Sequence, residues 1–280
     1  MSIRIGLICA RSKPEAAEIG DEIANWLDSR ECELVSEDAL QEDTQRVDVI
    51  VAIGGDGLIM RMAHSYPNIP LLGINVGKIG FLAMIERNEW PRALEHLLAG
   101  RYRIQSGPTL AAELIRNSAT IDAGWAVNDV VLRSGSAMVD VEVYIDRQFV
   151  NTYPGDGMII ATPQGSTAYC MAAGGPVLGA GVRGFAVVPI CPHSPIRTTL
   201  VVPEGATVEF VVANDHSCDL LLDGVSNGEL ERGDIVQVQS APDEFRLVMV
   251  EGSDFYQAFR NKFNYMIRPQ AVPSLGNHRA

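Results

Sequence analysis

A mostly apolar run that ends at a glycine-rich turn constrains the fold of this chain more than any other feature. Residues 47–53 (VDVIVAI) are rich in β-branched side chains and lead directly into residues 54–57 (GGDG). A strand that is apolar along most of its length is typical of a parallel sheet covered by helices on both faces. The sequence therefore predicts an α/β fold in which a glycine loop follows a central strand.

Strand and helix signals alternate through the first hundred residues. Further strands are predicted at residues 3–9 and 71–74, and helices at residues 14–30, 58–66 and 88–99. This alternation predicts a parallel sheet with helices on both faces. We assign residues 1–105 to an α/β domain that carries the GGDG loop.

From about residue 104 the pattern changes to short β-rich runs separated by turn residues. The predicted strands lie at residues 109–116, 125–133, 139–145, 148–153, 158–161, 185–190, 207–212, 220–222, 235–240 and 245–250. Only residues 166–173 have a helical pattern in this half. Such a series predicts a largely antiparallel β-sandwich, and we assign residues 106–252 to this β-rich domain.

The C-terminal segment, residues 253–280, has apolar side chains at intervals of four residues, at Phe255, Phe259, Phe263 and Ile267. This spacing predicts a helix or turn with one apolar face. Its basic residues, including Lys262, suit packing against an acidic body. We therefore expect the C-terminal tail to pack back on the rest of the protein.

Composition and charge exclude several classes of protein. The chain has 22 basic and 35 acidic side chains, a formal charge of −13, which argues against binding to nucleic acid or to an anionic membrane. No apolar stretch approaches the ~20 residues that span a bilayer, and the first residues lack a signal-peptide pattern. The five cysteines are scattered, without a C-x-x-C pair. We expect a cytoplasmic protein with reduced thiols.

The GGDG loop has the composition of a phosphate site with one unexpected acid. Its glycines let backbone N–H groups form an anion-binding nest, and the following helix directs the positive end of its dipole to the same place. The carboxylate of Asp56 would repel a phosphate, unless it coordinates Mg²⁺ or removes a proton from a neighbouring hydroxyl. A D-G pair by itself more often forms a tight turn, so both interpretations stay open for the loop alone.

Two other segments carry polar groups beside predicted strands. Residues 156–169 (DGMIIATPQGSTAY) lead from a strand into a turn where Ser166 can cap a helix, which leaves the Thr167 and Tyr169 hydroxyls near its N-terminus. An N-capped core helix is the commoner meaning of such a segment. Asn128 and Asp129 stand at a strand start, where such a pair is more often a turn. No G-x-G-x-x-G follows a strand, so the usual dinucleotide fingerprint is missing.

Together these segments resemble the NAD kinase family. The shared marks are the GGDG loop, the Asn128-Asp129 pair and the stretch from Asp156 through GSTAY to GGP at residues 174–176, with similar blocks at residues 75–82, 189–194 and 259–263. The resemblance implies that ATP and Mg²⁺ support phosphorylation of the 2′-hydroxyl of the adenosine ribose of NAD, which gives NADP. It also implies a homodimer or homotetramer with the β-rich domain at the interface.

The resemblance implies roles for individual residues. Asp56 would be the general base and would lie close to Mg²⁺, while phosphates would be held by Gly55, Gly57 and Arg61. Asn128 and Asp129 match the pair that holds the ribose and nicotinamide side of NAD. Asp156 matches an acid that contacts the dinucleotide, often from a neighbouring subunit. The adenine and ribose pocket would be lined by Thr167, Ala168, Tyr169 and Ala172.

The chain departs from the family pattern at a few positions. Asp129 stands where many members have Glu, and Ala172 stands where Ser is common. Arg197 lies one position earlier than expected, and Val225 replaces a polar residue in the late D-G motif at residues 223–225. None of these lies in the GGDG loop, so they bear on substrate preference more than on reaction type.

Two alternative functions for the chain belong to other classes of protein. Lipid kinases of the diacylglycerol and sphingosine type share a GGDG loop, but they lack the GSTAY stretch and need a membrane-facing surface. A non-catalytic dinucleotide-binding regulator would keep the pocket, and loss of Asp56 would be its expected mark. Asp56 is present, so the enzyme is the favoured hypothesis.

Overall fold

The structure is a computed structural model that describes residues 2–42, 47–77, 80–135, 137–193, 195 and 197–267. Lys78, Ile79, Ser194 and Arg268, which belong to the motifs and the tail discussed above, lie outside the described residues. The chain forms two compact units. The α/β unit comprises residues 1–59, 72–103 and 249 onward, and the sandwich unit comprises residues 60–71 and 104–248.

The α/β unit is built on parallel strands connected by helices. Its strands are β1 (Ile3–Cys9), β2 (Cys32–Val35), β3 (Val49–Gly54), β4 (Leu71–Asn75) and β5 (Ile85–Glu86), and its helices are α1 (Pro14–Asp28), α2 (Glu37–Glu42), α3 (Asp56–Ser65), which continues into the sandwich unit, and α4 (Trp90–Leu98). Strand β1 pairs in parallel with both β2 and β3, and β5 pairs in parallel with β4. The predicted parallel sheet is confirmed.

Burial explains why residues 49–54 form the central strand. Every residue of β3 is buried, which matches the continuous apolar run in the sequence. Helix α1 buries Ile19, Ile23 and Leu27 along one face, as expected for a helix that covers a sheet. The carboxyl end of β3, where the GGDG loop begins, is therefore held on a rigid part of the unit.

The sandwich unit contains two antiparallel sheets. Its strands are β7 (Leu110–Arg116), β8 (Ala119–Ala126), β9 (Asp129–Arg133), β10 (Val139–Ile145), β11 (Gln148–Gly155), β12 (Gly157–Ala161), β13 (Gly184–Ile190), β14 (Leu200–Pro203), β15 (Val208–Val212), β16 (Cys218–Leu222), β17 (Val225–Leu230) and β18 (Ile235–Ser240). The sheet orders are β11-β10-β15-β18-β7-β8 and β14-β13-β12-β9-β16-β17. Phe210 and Val236 of one sheet share a buried core with Phe185 and Leu132 of the other, so the predicted β-sandwich is confirmed.

Strands β9 and β12 are buried on both faces. In β12, Met158 and Ile160 face the core between the sheets, while Ile159 belongs to a second cluster with Cys170 and Leu178. The segment that includes α5 (Tyr169–Ala172) therefore covers the outer face of this sheet. This explains why the sequence of β12 is continuously apolar instead of alternating.

Three predicted elements differ from the observed ones. Residues 125–133 are not one strand, because they contain the end of β8, a break at residues 127–128 and the whole of β9. Residues 245–250 form β19 (Phe245–Val250), which leaves the sandwich sheets and pairs in parallel with β4 through Leu247 and Leu71. In the sheet order β2-β1-β3-β4-β19-β6, the last strand is β6 (Tyr102–Gly107). Residues 165–172 form only a 3₁₀ turn (Gly165–Thr167) and the four-residue α5.

The C-terminal tail forms α6 (Phe255–Ile267), as predicted, and packs on the α/β unit through aromatic contacts. The ring of Phe81 lies 6.2 Å from that of Phe255 and 6.3 Å from that of Phe259. The ammonium group of Lys262 lies 4.1 Å from the centre of the Phe81 ring. The tail thus packs back on the body as predicted, and its basic residue Lys262 contacts that body through a cation–π interaction with Phe81.

Candidate functional site

Three consecutive backbone N–H groups hold the carboxylate of Asp56. Oδ2 accepts a hydrogen bond from the N–H of Phe81 at 2.8 Å, and Oδ1 accepts from the N–H groups of Leu82 and Ala83 at 3.0 Å each. An ionised carboxylate has about four acceptor positions. Three are used, so Oδ2 keeps one acceptor position for a substrate hydroxyl or a cation.

Gly80 lets the 81–83 segment approach Asp56 this closely. A Cβ at Gly80 would lie 2.0 Å from Asp56 Oδ1, so any other residue would displace the carboxylate or the loop. Gly80 belongs to the family-like block at residues 75–82, but the motif alone does not indicate this role. A glycine at this position is the one sign in the sequence of a close approach. The sequence does not show which residue approaches, because Asp56 lies 24 positions earlier in the chain.

Two of the three loop glycines, Gly55 and Gly57, have no such internal reason to be glycine, whereas a Cβ at Gly54 would lie 2.8 Å from the Leu58 side chain. A Cβ at Gly57 would meet nothing within 4 Å, and a Cβ at Gly55 would have only Lys13 Nζ within that range, at 3.9 Å. The backbone at both positions also avoids the left-handed region. Open space above a helix start leaves room for a ligand to approach the backbone, as a phosphate cradle requires.

Asp223 holds three other consecutive N–H groups in the sandwich unit. Its carboxylate accepts from the N–H groups of Val127 at 2.8 Å, Asn128 at 2.6 Å and Asp129 at 3.0 Å. His64 Nε2 lies 2.7 Å from the same carboxylate. All four acceptor positions are therefore occupied, which makes Asp223 a positioning residue. These bonds also take the backbone out of the strand ladder and explain the break between β8 and β9.

The sandwich unit brings the Asn128-Asp129 pair together with the TPQGST segment. Thr162 Oγ1 donates to the carbonyl of Val127 at 2.6 Å, and the N–H of Thr162 donates to the carbonyl of Asn128 at 2.9 Å. A Cβ at Gly165 would lie 2.0 Å from that Asn128 carbonyl. Within the described chain, Oδ1 of Asn128 is buried without a hydrogen-bond partner, so it is an acceptor available to a ligand.

The GSTAY residues differ from their predicted arrangement. Ser166 does not cap a helix, because its hydroxyl donates to the carbonyl of Pro163 at 2.6 Å and accepts from the N–H of Leu178 at 2.9 Å. The Thr167 hydroxyl donates to the carbonyl of Gln164 at 3.2 Å and is buried. The short turn places these hydroxyls inside the protein. The guanidinium of Arg133 lies 5.7 Å from the centre of the half-buried Tyr169 ring.

The remaining predicted residues are exposed. Ala168, Ala172 and Asp156 are accessible in the sandwich unit, as is Arg61 on its segment of α3. Asp156 lies at the opposite end of the β9–β12 pair from Asn128, because Gly157 pairs with Arg133 while Ala161 pairs with Asp129. That separation is about 13 Å of strand. Within one chain, the structure does not bring Asp156 together with the Asn128-Asp129 pair.

The carboxyl group of Asp129 is buried beside a second acid. Burial, and to a smaller extent the negative charge of Asp223, together raise its pKa from 3.8 to about 7. Only 5% of Asp129 is exposed. Near neutral pH this carboxyl is therefore partly protonated and can donate as well as accept a hydrogen bond.

We predict that Asp223→Asn destabilises the protein and moves the Asn128-Asp129 pair. The amide offers one acceptor oxygen in place of two, so at least one buried N–H loses its partner, which costs about 1–3 kcal/mol. Urea denaturation should show a lower midpoint for the variant. Asp219→Asn, at an exposed position of β16, the strand that leads into Asp223, is the matched control and should leave the midpoint unchanged. Equal midpoints for both variants would contradict the positioning role.

We predict that Asp129→Asn changes how stability depends on pH. With its pKa raised from 3.8 to about 7, folded Asp129 keeps a proton that the unfolded chain has released. The wild-type free energy of unfolding should therefore fall as pH rises between these values and level off above them. The variant lacks this fall, so its stability relative to wild type should increase from pH ~5 to pH ~8 in urea denaturation. Parallel pH profiles would show that Asp129 ionises normally.

Within the described residues, no group of three or more His, Cys, Asp or Glu side chains is arranged to hold a metal ion.

The same residues include no helix long and apolar enough to cross a membrane.

Comparisons with known proteins agree with the motifs. The model of the ATP-NAD kinase N-terminal domain matches residues 36–102, and that of the ATP-NAD kinase C-terminal domain matches residues 127–250. NAD kinase of Thermomicrobium roseum is 58% identical over 274 residues, which cover 98% of this chain and 96% of that protein. NAD kinase of Protochlamydia amoebophila is 33% identical and covers 93% of this chain and 98% of its own.

Solved structures share the fold. Yeast NADH kinase complexed with NADH has a TM-score of 0.82 at 21% identity, covering 98% of this chain and 90% of that one. An NAD kinase from Archaeoglobus fulgidus in complex with ATP has a TM-score of 0.71 at 23% identity, covering 94% of this chain and 98% of that one. With both domain models and closely related sequences matched along nearly its whole length, the chain belongs to the NAD kinase family.

Proposed function

We propose that this protein phosphorylates the 2′-hydroxyl of the adenosine ribose of NAD with ATP, giving NADP and ADP. The observation that carries the proposal is the Asp56 carboxylate, which three N–H groups hold at the GGDG loop with one acceptor position left on Oδ2. Family membership supplies the substrates, and neither the lipid kinase nor the regulator gains support from the relatives.

In this proposal Asp56 is the general base. Its free acceptor position on Oδ2 takes the proton of the ribose hydroxyl as that oxygen attacks the γ-phosphorus of ATP, and ADP leaves with the bridging oxygen. Phosphoryl transfer requires mainly alignment and neutralisation of charge. The backbone N–H groups around Gly55 and Gly57 at the start of α3 and the guanidinium of Arg61 supply the neutralisation.

We propose that the sandwich unit binds the dinucleotide. Asn128, through its unpartnered Oδ1, and Asp129, through its carboxyl, accept or donate hydrogen bonds on the ribose and nicotinamide side. The adenine and ribose contacts come from the backbone and accessible atoms of Thr167, Ala168, Tyr169 and Ala172. The buried Thr167 hydroxyl supports the turn that presents these residues.

Mg²⁺ fits the residues present if a single carboxylate is enough. Mg²⁺ commonly binds through one or two carboxylates together with substrate phosphates, and Asp56 is the carboxylate at the GGDG loop. We propose that the ion would lie close to Asp56 and would be held mainly by phosphate oxygens of ATP, because the free acceptor position of Asp56 serves the ribose hydroxyl. The ion would neutralise charge on the transferred phosphoryl group. The working enzyme is proposed to be a cytoplasmic homodimer or homotetramer, with domains at residues 1–105 and 106–252 and a tail at residues 253–280.

We predict that Asp56→Asn lowers the turnover number for NADP formation by about 10²- to 10⁴-fold, the range of a lost general base. The measurement is NADP produced from NAD, ATP and Mg²⁺. Asp48→Asn, which changes an exposed acid paired with Arg4, is the control and should keep wild-type turnover. The melting temperature of each variant reports any disturbance of the 81–83 segment. Wild-type turnover by Asp56→Asn would overturn its role as base.

We predict that Asp156 acts in the site of a neighbouring copy. Asp156→Ala and Asp56→Asn should each be inactive alone. When the two are mixed with subunit exchange, sites with an intact Asp56 and a neighbour's intact Asp156 should form at random, restoring roughly a quarter of wild-type activity in a symmetric oligomer. Differently tagged chains would demonstrate that mixed oligomers have formed. If activity does not recover in such oligomers, Asp156 acts in the active site of its own chain.

A further inference from the structure

Lys13 lies beside the GGDG loop although it is far from it in sequence. It is the residue before α1 and is half-buried. Its ammonium group donates a hydrogen bond to the carbonyl of Val76 at 2.6 Å. Val76 in turn donates its N–H to the carbonyl of Gly54 at 2.8 Å. Lys13 thus joins the turn after β1 to the turn after β4, and Val76 joins that second turn to the end of β3.

Two glycines lie close to the ammonium group. A Cβ at Gly77 would lie 3.1 Å from Lys13 Nζ, and a Cβ at Gly55 would lie 3.9 Å from it. The lysine therefore borders the space next to Gly55, at the start of the GGDG loop. Any anion that approaches the backbone of this loop comes within reach of the Lys13 charge.

The chemistry of the ammonium group favours an anionic ligand. It has three N–H donors, and the bond to Val76 uses one. Within the described part of the chain, no carboxylate lies within ion-pair distance of Lys13. The first N–H groups of α3 have no acceptor inside the helix, so they and the lysine present donors to the same space. In a chain with a formal charge of −13, local positive charge of this kind is needed to retain a polyphosphate.

We propose that Lys13 binds the triphosphate of the donor nucleotide over the GGDG loop. Its ammonium group remains hydrogen-bonded to Val76 and donates its other protons to phosphate oxygens. This inference rests on the proposed function and adds a residue that motif reasoning did not select. Arginine at this position would keep the charge, whereas glutamine would keep a donor for Val76 without the charge.

The test compares Lys13→Ala, Lys13→Gln and Lys13→Arg with Arg11→Ala. Arg11 lies in the same turn, but it is exposed and pairs with Glu37 at 3.3 Å, so its loss removes an equal charge away from the loop. Loss of one charge-assisted contact should raise the KM for ATP by roughly 10- to 100-fold in both the Ala and Gln variants. The KM for NAD should stay within about twofold, and Lys13→Arg should recover most of the ATP affinity.

A binding measurement separates this inference from the proposed reaction. Calorimetric titration with inorganic tripolyphosphate should show binding to wild type and to Arg11→Ala, and weaker binding to Lys13→Ala and Lys13→Gln. An ATP KM in Lys13→Gln equal to that of wild type would show that the lysine only tethers Val76, and would overturn the inference. If wild type forms no NADP at all, the proposed function fails, while loss of tripolyphosphate binding in Lys13→Ala would still support the anion site.

Discussion

The functional segments of both units depend on one kind of interaction, in which a carboxylate accepts hydrogen bonds from three consecutive backbone N–H groups. Asp56 holds residues 81–83 in this way, and Asp223 holds residues 127–129. Successive N–H groups of an extended chain point to opposite sides, so three that converge on one acid require a turn. The bonds to a charged acceptor are strong enough to keep such a turn out of the neighbouring strand ladders.

The number of hydrogen bonds distinguishes the roles of these two acids. Asp223 also contacts His64, which leaves it no acceptor position, so its effect is to orient Asn128 and Asp129. Asp56 retains one position on Oδ2, which is the minimum that a base or a metal ligand needs. Two aspartates in similar surroundings thus differ in chemistry because one acceptor position is filled in one case and open in the other.

Much of the fold could be predicted because burial leaves a direct pattern in the sequence. Continuous apolar runs correctly indicated β3 and β12, which are covered on both faces. The same reasoning failed for residues 125–133, since the apolar pattern continues through Val127 while the backbone bonds there go to Asp223. It also missed the partner of β19, because an apolar strand of six residues suits a parallel sheet and a sandwich equally well.

The sequence by itself determined the family, the two types of sheet and the acid in the glycine loop, because these depend on local patterns and on motifs a few residues long. The tertiary structure alone decided what surrounds that acid. The amides of residues 81–83, the close approach at Gly80 and the ammonium group of Lys13 meet at the GGDG loop from distant parts of the chain. These contacts form because the sheet topology brings the ends of several strands to one edge. The local spacing of residues in the sequence does not show that arrangement.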